Sequence, residues 1–347
     1  MGDAQKEAAL RLGFVGCGTH STNNLYPALA YAHCRLEAVC DQDAALAQRN
    51  ADVFHARRLF TDAQRMLDEC ALDGVMVVGP PALHYEVGKL VLGRGLPLFT
   101  EKPPAPSLAE AEEMASLARL NGTFHMTGFM KRHGLAYRRL REMIGSGALA
   151  PAALRINYSH WPMADLRQML LFMSSHPIDL AISCFGHPAS VTPILHVSER
   201  GALALGVTLR FPCGRWAQLM LDSHQPRVQE RLEMSGTMDG GNALVVVDNV
   251  QHMEVHRATH NGTDLDHDLT RIEPNVHLEG IQMWRPDFGI PNMQQSRLFF
   301  QGFVGEVREF VAAIRERRAP DPGMDDALAV MRVIEAILRK PSGVTEM

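Results

Sequence analysis

The segment that most constrains the fold is a short apolar run, Leu12-Gly13-Phe14-Val15, that passes directly into Gly16-Cys17-Gly18-Thr19-His20-Ser21. A strand that meets two closely spaced glycines and then a helical pattern has to turn tightly. The glycines also let another group approach the backbone amides at the helix N-terminus. The pattern is G-x-G-x-x-G with Ser21 in the third position, where a small side chain still permits close helix–strand packing. A second apolar run, Leu36-Glu37-Ala38-Val39-Cys40, ends at Asp41, at about the 20-residue separation expected of an acid that accepts hydrogen bonds from an adenosine ribose. Strand, glycines, helix, strand and acid together point to dinucleotide binding. A carboxylate at position 41 repels a 2′-phosphate, so NAD(H) is favoured, with NADP(H) as the alternative. Arg49 lies too far along the next helix to reverse that preference.

The rest of the first third keeps the same rhythm. Helices are expected at 44–54, from 62, and at 83–93, and strands at 58–60, 74–78 and 98–100. Short apolar strands separated by helices of about 10 residues indicate βαβ units and a parallel sheet covered on both faces. Ser107 and Glu110 form a capping-box pattern before a helix at 108–121, and a further helix spans 134–145. After Pro151 the pattern changes to strands at 153–159, 190–197, 202–211, 215–221, 229–235, 243–248 and 252–256, with one helical insertion at 165–185. Short turns between them imply an open, mostly antiparallel sheet. The stretch 261–295 reads as irregular, and amphipathic helices follow at 303–317 and 325–339. The expected fold is α/β: a Rossmann doubly wound parallel sheet (1–126), a connecting helix (127–150), an α+β domain with a large open, mostly antiparallel sheet (151–302) and C-terminal helices packing back on the core (303–347).

Composition narrows the class. A chain of 347 residues with 46% hydrophobic and 21% charged side chains is ordinary globular material for two domains. The balance of 34 Lys+Arg against 39 Asp+Glu, net −5, excludes a broad cationic surface for nucleic acid. No apolar run approaches the roughly 20 residues of a membrane span, and the N-terminus lacks signal-peptide and myristoylation patterns, Lys6 standing where the latter needs Ser or Thr. The 6 cysteines are scattered, as expected of reduced thiols in a cytoplasmic protein. The 16 histidines include His187, His252, His256, His260 and His267, but 252 and 256 fall in a strand pattern, so no metal site is expected.

Further signposts are Gly79-Pro80-Pro81-Ala82-Leu83-His84, Glu101-Lys102-Pro103, Gly128-Phe129-Met130-Lys131-Arg132, His176-Pro177-Ile178-Asp179-Leu180 and Gly305-Glu306-Val307-Arg308-Glu309-Phe310. With these, nearly the whole chain resembles the Gfo/Idh/MocA family of sugar and cyclitol oxidoreductases. The resemblance implies hydride transfer between a nicotinamide and a secondary alcohol or ketone of a sugar, cyclitol or glycoside. It implies Lys102 as the cation that polarises the reacting oxygen and His176 as general acid/base, a role that suits an imidazole with an ordinary pKa near ~6.5. Cofactor contacts are expected from Gly16, Gly18, Thr19, His20, Asp41, Pro80, His84, Glu101, Lys102 and Met130. The substrate pocket is expected from Tyr158, His160, Trp161, Asp165, Phe172 and Asp179. A homodimer or homotetramer through the C-terminal sheet is also implied.

The chain departs from the family pattern in three places. Gly79 replaces a more usual Thr, Met130 an Asn, and Phe172 the polar residue often found four positions before the histidine. Phe172 cannot relay a proton; it hints at a substrate with an apolar portion, such as an aryl glycoside or a deoxy sugar. Two other functions stay open on the sequence: redox-cycling glycoside cleavage with bound NAD, and a non-catalytic dinucleotide-binding protein.

Overall fold

A computed structural model of the chain describes residues 8–258, 279–285 and 296–347. The chain divides into two compact units, Met1–His133 with Arg297–Arg332, and Gly134–Ser296 with Val333–Met347.

The first unit is built on six parallel strands: β1 (Leu10–Val15), β2 (Cys34–Cys40), β3 (Arg58–Phe60), β4 (Gly74–Val77), β5 (Leu98–Glu101) and β6 (His125–Gly128). Their order is β3-β2-β1-β4-β5-β6. The order of the strands therefore switches from leftward to rightward growth between β1 and β4, and the strand ends there open on the crevice where such sheets bind ligands. Side-chain alternation explains why these strands read as unbroken apolar runs. Leu12, Phe14, Met76, Phe99 and Met126 enter one core, whereas Val15, Val75, Val77 and Leu98 enter the other. Helices Ala44–Phe54, Ala63–Glu69, Pro81–Gly93 and Leu108–Leu120 connect the strands. Asp43 accepts from the amides of Ala45 and Leu46, Asp62 from that of Arg65, and Ser107 from that of Glu110, which fixes three helix starts.

One strand of this unit escapes the sequence reading, and one expected helix finds its place. β6 was not expected, because His-Met-Thr-Gly carries no apolar alternation; it forms where His125 Nε2 meets Thr100 Oγ1 at 2.7 Å. Helix Phe303–Glu316 forms where the amphipathic pattern at 303–317 places it, and completes the first core with Phe303, Val307, Phe310 and Val311. Gly74 makes room for it, since a Cβ there would lie 2.7 Å from Ile314 Cδ1.

The second unit is a nine-stranded sheet: β7 (Ala150–Ser159), β8 (Ser190–Val197), β9 (Leu203–Arg210), β10 (Trp216–Asp222), β11 (Gln229–Met238), β12 (Gly241–Asp248), β13 (His252–Ala258), β14 (Glu279–Trp284) and β15 (Thr345–Glu346). The order is β14-β13-β12-β11-β7-β10-β9-β8-β15, antiparallel except for the β7–β10 pair. One face is apolar (Leu154, Ile156, Leu205, Val207, Leu219, Leu232, Met234, Val245) and packs against helix Ser175–Phe185 over β7 and β10 and helix Leu135–Gly145 over β12. The other carries charged residues such as Arg155, Arg231 and Glu233, the alternation expected of a half-covered antiparallel sheet. Two strands correct the sequence reading. β14 falls inside the stretch 261–295 expected to be irregular, the rest of which lies outside the described residues. β15 closes the opposite edge on β8. His252 and His256 sit on β13, with His256 Nε2 3.0 Å from Glu254 Oε2; His260 and His267 lie outside the described residues.

Candidate active site

The turn after β1 is shaped by backbone constraints. Gly16 has φ +101°, and a Cβ on it would lie 1.9 Å from the Val78 carbonyl oxygen. No side chain fits there. Gly18 is different: nothing lies within 4 Å of where its Cβ would be, so the loop presents bare backbone to an open space. Ser21 does more than fit the third position. Its hydroxyl lies 3.0 Å from the Gly16 carbonyl and 2.9 Å from that of Gly18, so one proton ties both ends of the turn. The chain then continues as a π-helical turn, Ser21–Leu25, before Tyr26–Leu29.

Asp41 buttresses the same loop. One carboxylate oxygen accepts from the Cys17 amide at 2.7 Å and the other from the Asp43 amide at 2.9 Å. Each oxygen keeps a lone pair for a further donor. Arg49, set aside on the sequence, reaches this loop after all. Its Nη2 lies 3.4 Å from both the Cys17 carbonyl and Thr22 Oγ1, because residue 49 faces back along the helix toward the strand ends. An open Gly18, amides at a helix start and an acid with unused acceptor capacity fit a dinucleotide.

Beside the turn, Thr19, His20, Asn23, Asn24 and Arg297 line a cleft of about 580 Å³. His20 Nε2 lies 3.0 Å from Glu101 Oε1, and the other Glu101 oxygen accepts from the Lys102 amide at 3.1 Å. Burial alone would raise the Glu101 carboxyl, but the bond to His20, the electrostatic pull of that ring and the Lys102 ammonium outweigh it and hold it below the usual range. Lys102 itself is partly buried, and burial lowers its ammonium against the opposing pull of Glu101. The Lys102–Pro103 peptide is cis.

His84 and Met130 serve this site from behind. The His84 ring is fully buried; its Nε2 accepts from the Gly79 amide at 3.1 Å, so Nδ1 carries the proton and donates to the Pro103 carbonyl at 2.8 Å. The ring thus clips the Pro80-Pro81 turn to the Glu101-Lys102-Pro103 segment, leaving no nitrogen for a cofactor. Pro80 is the N-cap residue of the helix Pro81–Gly93. Met130 packs against the first core.

Three buried ionisable groups stand in the quoted motifs with no role assigned to them. Arg132 is ion-paired with Asp321 at 3.0 Å and Asp326 at 3.1 Å. Burial, with the Lys102 charge, pushes the Lys131 ammonium down to about 7. Glu306, in the first turn of helix Phe303–Glu316, is completely buried, with neither carboxyl oxygen hydrogen-bonded among the described residues. Burial, then the Glu101 charge, raises Glu306 well above its ordinary value of 4.5. The legible signal was a glutamate on an apolar helix stripe, between Phe303 and Phe310. A raised carboxyl binds its proton in the folded state where the unfolded chain has lost it, so stability falls as pH climbs above the ordinary carboxylate range. Glu306→Gln cannot ionise. Its melting temperature relative to the native protein is therefore expected to rise between about pH 5 and about pH 8; a pH-independent difference in thermal melts would contradict this.

In the second unit, His176 is buried in the first turn of helix Ser175–Phe185, and Asp179 is buried one turn later. The preceding segment, Met169–Ser174, is π-helical. The expectation that Phe172 shares a helix face with His176 presumes an unbroken α-helix. A wider π turn offsets that stacking by roughly one residue. Phe172 is 38% exposed, whereas Met169, Leu170 and Leu171 are buried. Tyr158 points into the sheet's covered face, and burial pushes its hydroxyl up to about 12. His160 is fully buried, its Nδ1 2.7 Å from the Trp161 carbonyl, while Trp161 is 57% exposed. Asp165 is exposed and caps the turn Leu166–Gln168 by accepting from the Gln168 amide at 3.0 Å. Among the described residues no three His, Cys, Asp or Glu side chains are grouped to hold a metal, and no helix is long and apolar enough to cross a membrane.

A dinucleotide-binding parallel sheet followed by a large open sheet defines a class of oxidoreductases. The chain matches the Gfo/Idh/MocA family model described as "Oxidoreductase family, NAD-binding Rossmann fold" over residues 10–129, and that for the family's "C-terminal alpha/beta domain" over residues 169–344. It belongs to the Gfo/Idh/MocA oxidoreductase family. It is 25% identical to the Salmonella typhimurium protein named oxidoreductase YceM over 332 residues, 95% of this chain and 97% of that one. It is 29% identical over 203 residues, 54% of this chain and 58% of the other, to D-glucoside 3-dehydrogenase of Escherichia coli. A dehydrogenase structure from Chromobacterium violaceum superposes with TM-score 0.84 at 26% identity, covering 96% of this chain and 95% of that one.

Proposed function

We propose that the protein is an NAD(H)-dependent oxidoreductase that moves a hydride between the nicotinamide and a secondary alcohol or ketone of a sugar, cyclitol or glycoside. The observation that carries this reading is the pairing of an open Gly18 turn, buttressed by Asp41, with a partly buried lysine held next to a carboxylate at the end of β5. The similarity to a D-glucoside 3-dehydrogenase supports a carbohydrate substrate. Gly16, Gly18, Thr19 and Asp41 hold the dinucleotide, with His20 and Glu101 beside it. The bound nicotinamide supplies the hydride acceptor or donor. Lys102 polarises the reacting oxygen: its ammonium stabilises an alkoxide-like oxygen in oxidation and draws electron density from a carbonyl in reduction. His176 takes or returns the hydroxyl proton. Incubation with NAD and a panel of polyols and glycosides is expected to produce the near-ultraviolet absorbance of NADH. Glycoside cleavage without net NADH would favour redox cycling, and NAD binding with no turnover would favour a non-catalytic role.

Asp41 and Arg49 flank the same loop, so the cofactor preference rests on the carboxylate. Asp41→Ala is expected to lose about tenfold in NAD affinity and to gain NADP affinity, since a repulsive charge goes and Arg49 stays; unchanged preference in cofactor titrations would contradict it. The sheet face opposite the helices exposes Ile194, Trp216, Met220, Leu244, Ile281 and Met283. Apolar side chains exposed among the charges of this face support self-association through the sheet, and a monomer at micromolar concentration by light scattering would remove that reading. The proposed location is the cytoplasm.

A further inference from the structure

Glu101 is linked to a side chain far along the sequence by an unbroken run of hydrogen bonds. Arg297 donates from Nη1 to Asn24 Oδ1 at 2.7 Å and from Nη2 to the Asn23 carbonyl at 3.1 Å. Asn24 Nδ2 lies 3.1 Å from His20 Nδ1, and His20 Nε2 lies 3.0 Å from Glu101 Oε1. The direction of every bond follows from the first. A guanidinium has donors only, so the Asn24 atom facing Arg297 is its oxygen. The Asn24 amide NH2 therefore faces the imidazole, and Nδ1 of His20 has to accept. The ring proton is left on Nε2, pointing at the Glu101 carboxylate. Asn24 is buried at the wall of the cleft, and the Phe303 ring lies edge-on to His20 with centroids 5.8 Å apart, restricting the imidazole plane. At its other oxygen Glu101 accepts from the Lys102 amide, so the carboxylate is gripped between the relay and the backbone of the lysine.

We propose that Arg297, Asn24 and His20 are positioning residues: Arg297 fixes the Asn24 amide, the amide fixes the His20 tautomer, and the resulting Nε2–H holds Glu101 where it orients Lys102. The inference rests on the role given to Lys102 above. It assigns a function in the reaction to Arg297, a residue outside every motif of the sequence, and gives His20 the job of an oriented donor.

Two measurements on the full-length protein test this. In ¹⁵N long-range NMR spectra of the labelled protein, with His20→Gln identifying the resonance, the proton is expected on Nε2 and the lone pair on Nδ1; a proton on Nδ1 alone would overturn the relay. Asn24→Asp turns the donor facing Nδ1 into an acceptor, so both ring nitrogens are expected to carry protons, and an unchanged ring spectrum would equally overturn it. In steady-state kinetics with whichever polyol the panel identifies, Arg297→Met is expected to lower kcat about fivefold, as the relay slackens by about the net worth of one hydrogen bond. KM for the polyol should stay within about twofold, and Arg297→Lys, which keeps one donor, should restore most of the loss. An unchanged kcat in Arg297→Met would refute the positioning role. If the native protein turns over no polyol, the proposed activity fails, and the ring spectra still decide the relay by themselves.

Discussion

Replacing Lys102 by methionine is expected to lower turnover by about 10²–10³-fold while NADH affinity changes by no more than about threefold. The size follows from what the ammonium does. A cation held where burial weakens its solvation stabilises developing charge on an oxygen far better than water does, and removing one such oriented group costs about 3–4 kcal/mol of transition-state stabilisation. The small effect on binding follows from where the affinity for a dinucleotide arises, at the Gly16–Ser21 turn and Asp41. Methionine keeps the length and apolar stem of lysine, so the packing around Pro103 and His84 is preserved. Kinetics and cofactor fluorescence titration on the same preparation check both halves. A variant that retains more than about a tenth of native turnover would remove Lys102 from the chemistry.

A second large effect separates folding from function within three residues. Gly16→Ala is expected to cost at least about 3–5 kcal/mol, a substantial part of the stability of an ordinary domain. The added Cβ would lie 1.9 Å from the Val78 oxygen at a φ of +101°, and that neighbour is backbone of the strand junction, which cannot turn aside as a side chain could. In a unit of this size the melting temperature should fall by about 10 °C or more. Gly18→Ala is expected to do the reverse: with nothing within 4 Å, the protein melts as before, but the new methyl stands where a pyrophosphate would approach the backbone, and NADH affinity falls by about tenfold or more. Calorimetry and binding titrations of the two variants check the contrast. Equal behaviour of both would mean that the turn is only a structural corner.

The sequence reveals most about this molecule where one physical requirement dominates. Strands buried on both faces must be apolar throughout, so β1, β2 and β4 are visible as runs, and the turn between β1 and the next helix is visible because only glycine fits at position 16. β6 is hidden because it buries polar side chains, His125 and Thr127, with His125 Nε2 meeting Thr100 Oγ1 of β5 across the sheet, and so leaves no apolar pattern to read. Helix Phe303–Glu316 is visible as an amphipathic helix. What its apolar stripe covers is not, since amphipathicity names a face and not its neighbour. The same gap hides Arg297, whose contacts with Asn23 and Asn24 depend on long-range packing. Position along the helix hides Arg49 for a related reason: a long side chain spans a turn of helix with ease and reaches the Cys17 carbonyl. At Phe172 the error lies in local geometry, because the α-helical spacing assumed from the sequence is interrupted by the π turn at Met169–Ser174.

The claim on which all of this depends is that a hydride crosses between the nicotinamide and a carbohydrate carbon held at Lys102. Incubating the protein with NADH deuterated at the transferred position of C4, together with a panel of keto-sugars and keto-cyclitols, and weighing the products by mass spectrometry, tests it directly. One deuterium on the carbinol carbon of a product, lost in Lys102→Met, is the predicted result. Tight NADH binding with no deuterium in any product would contradict it.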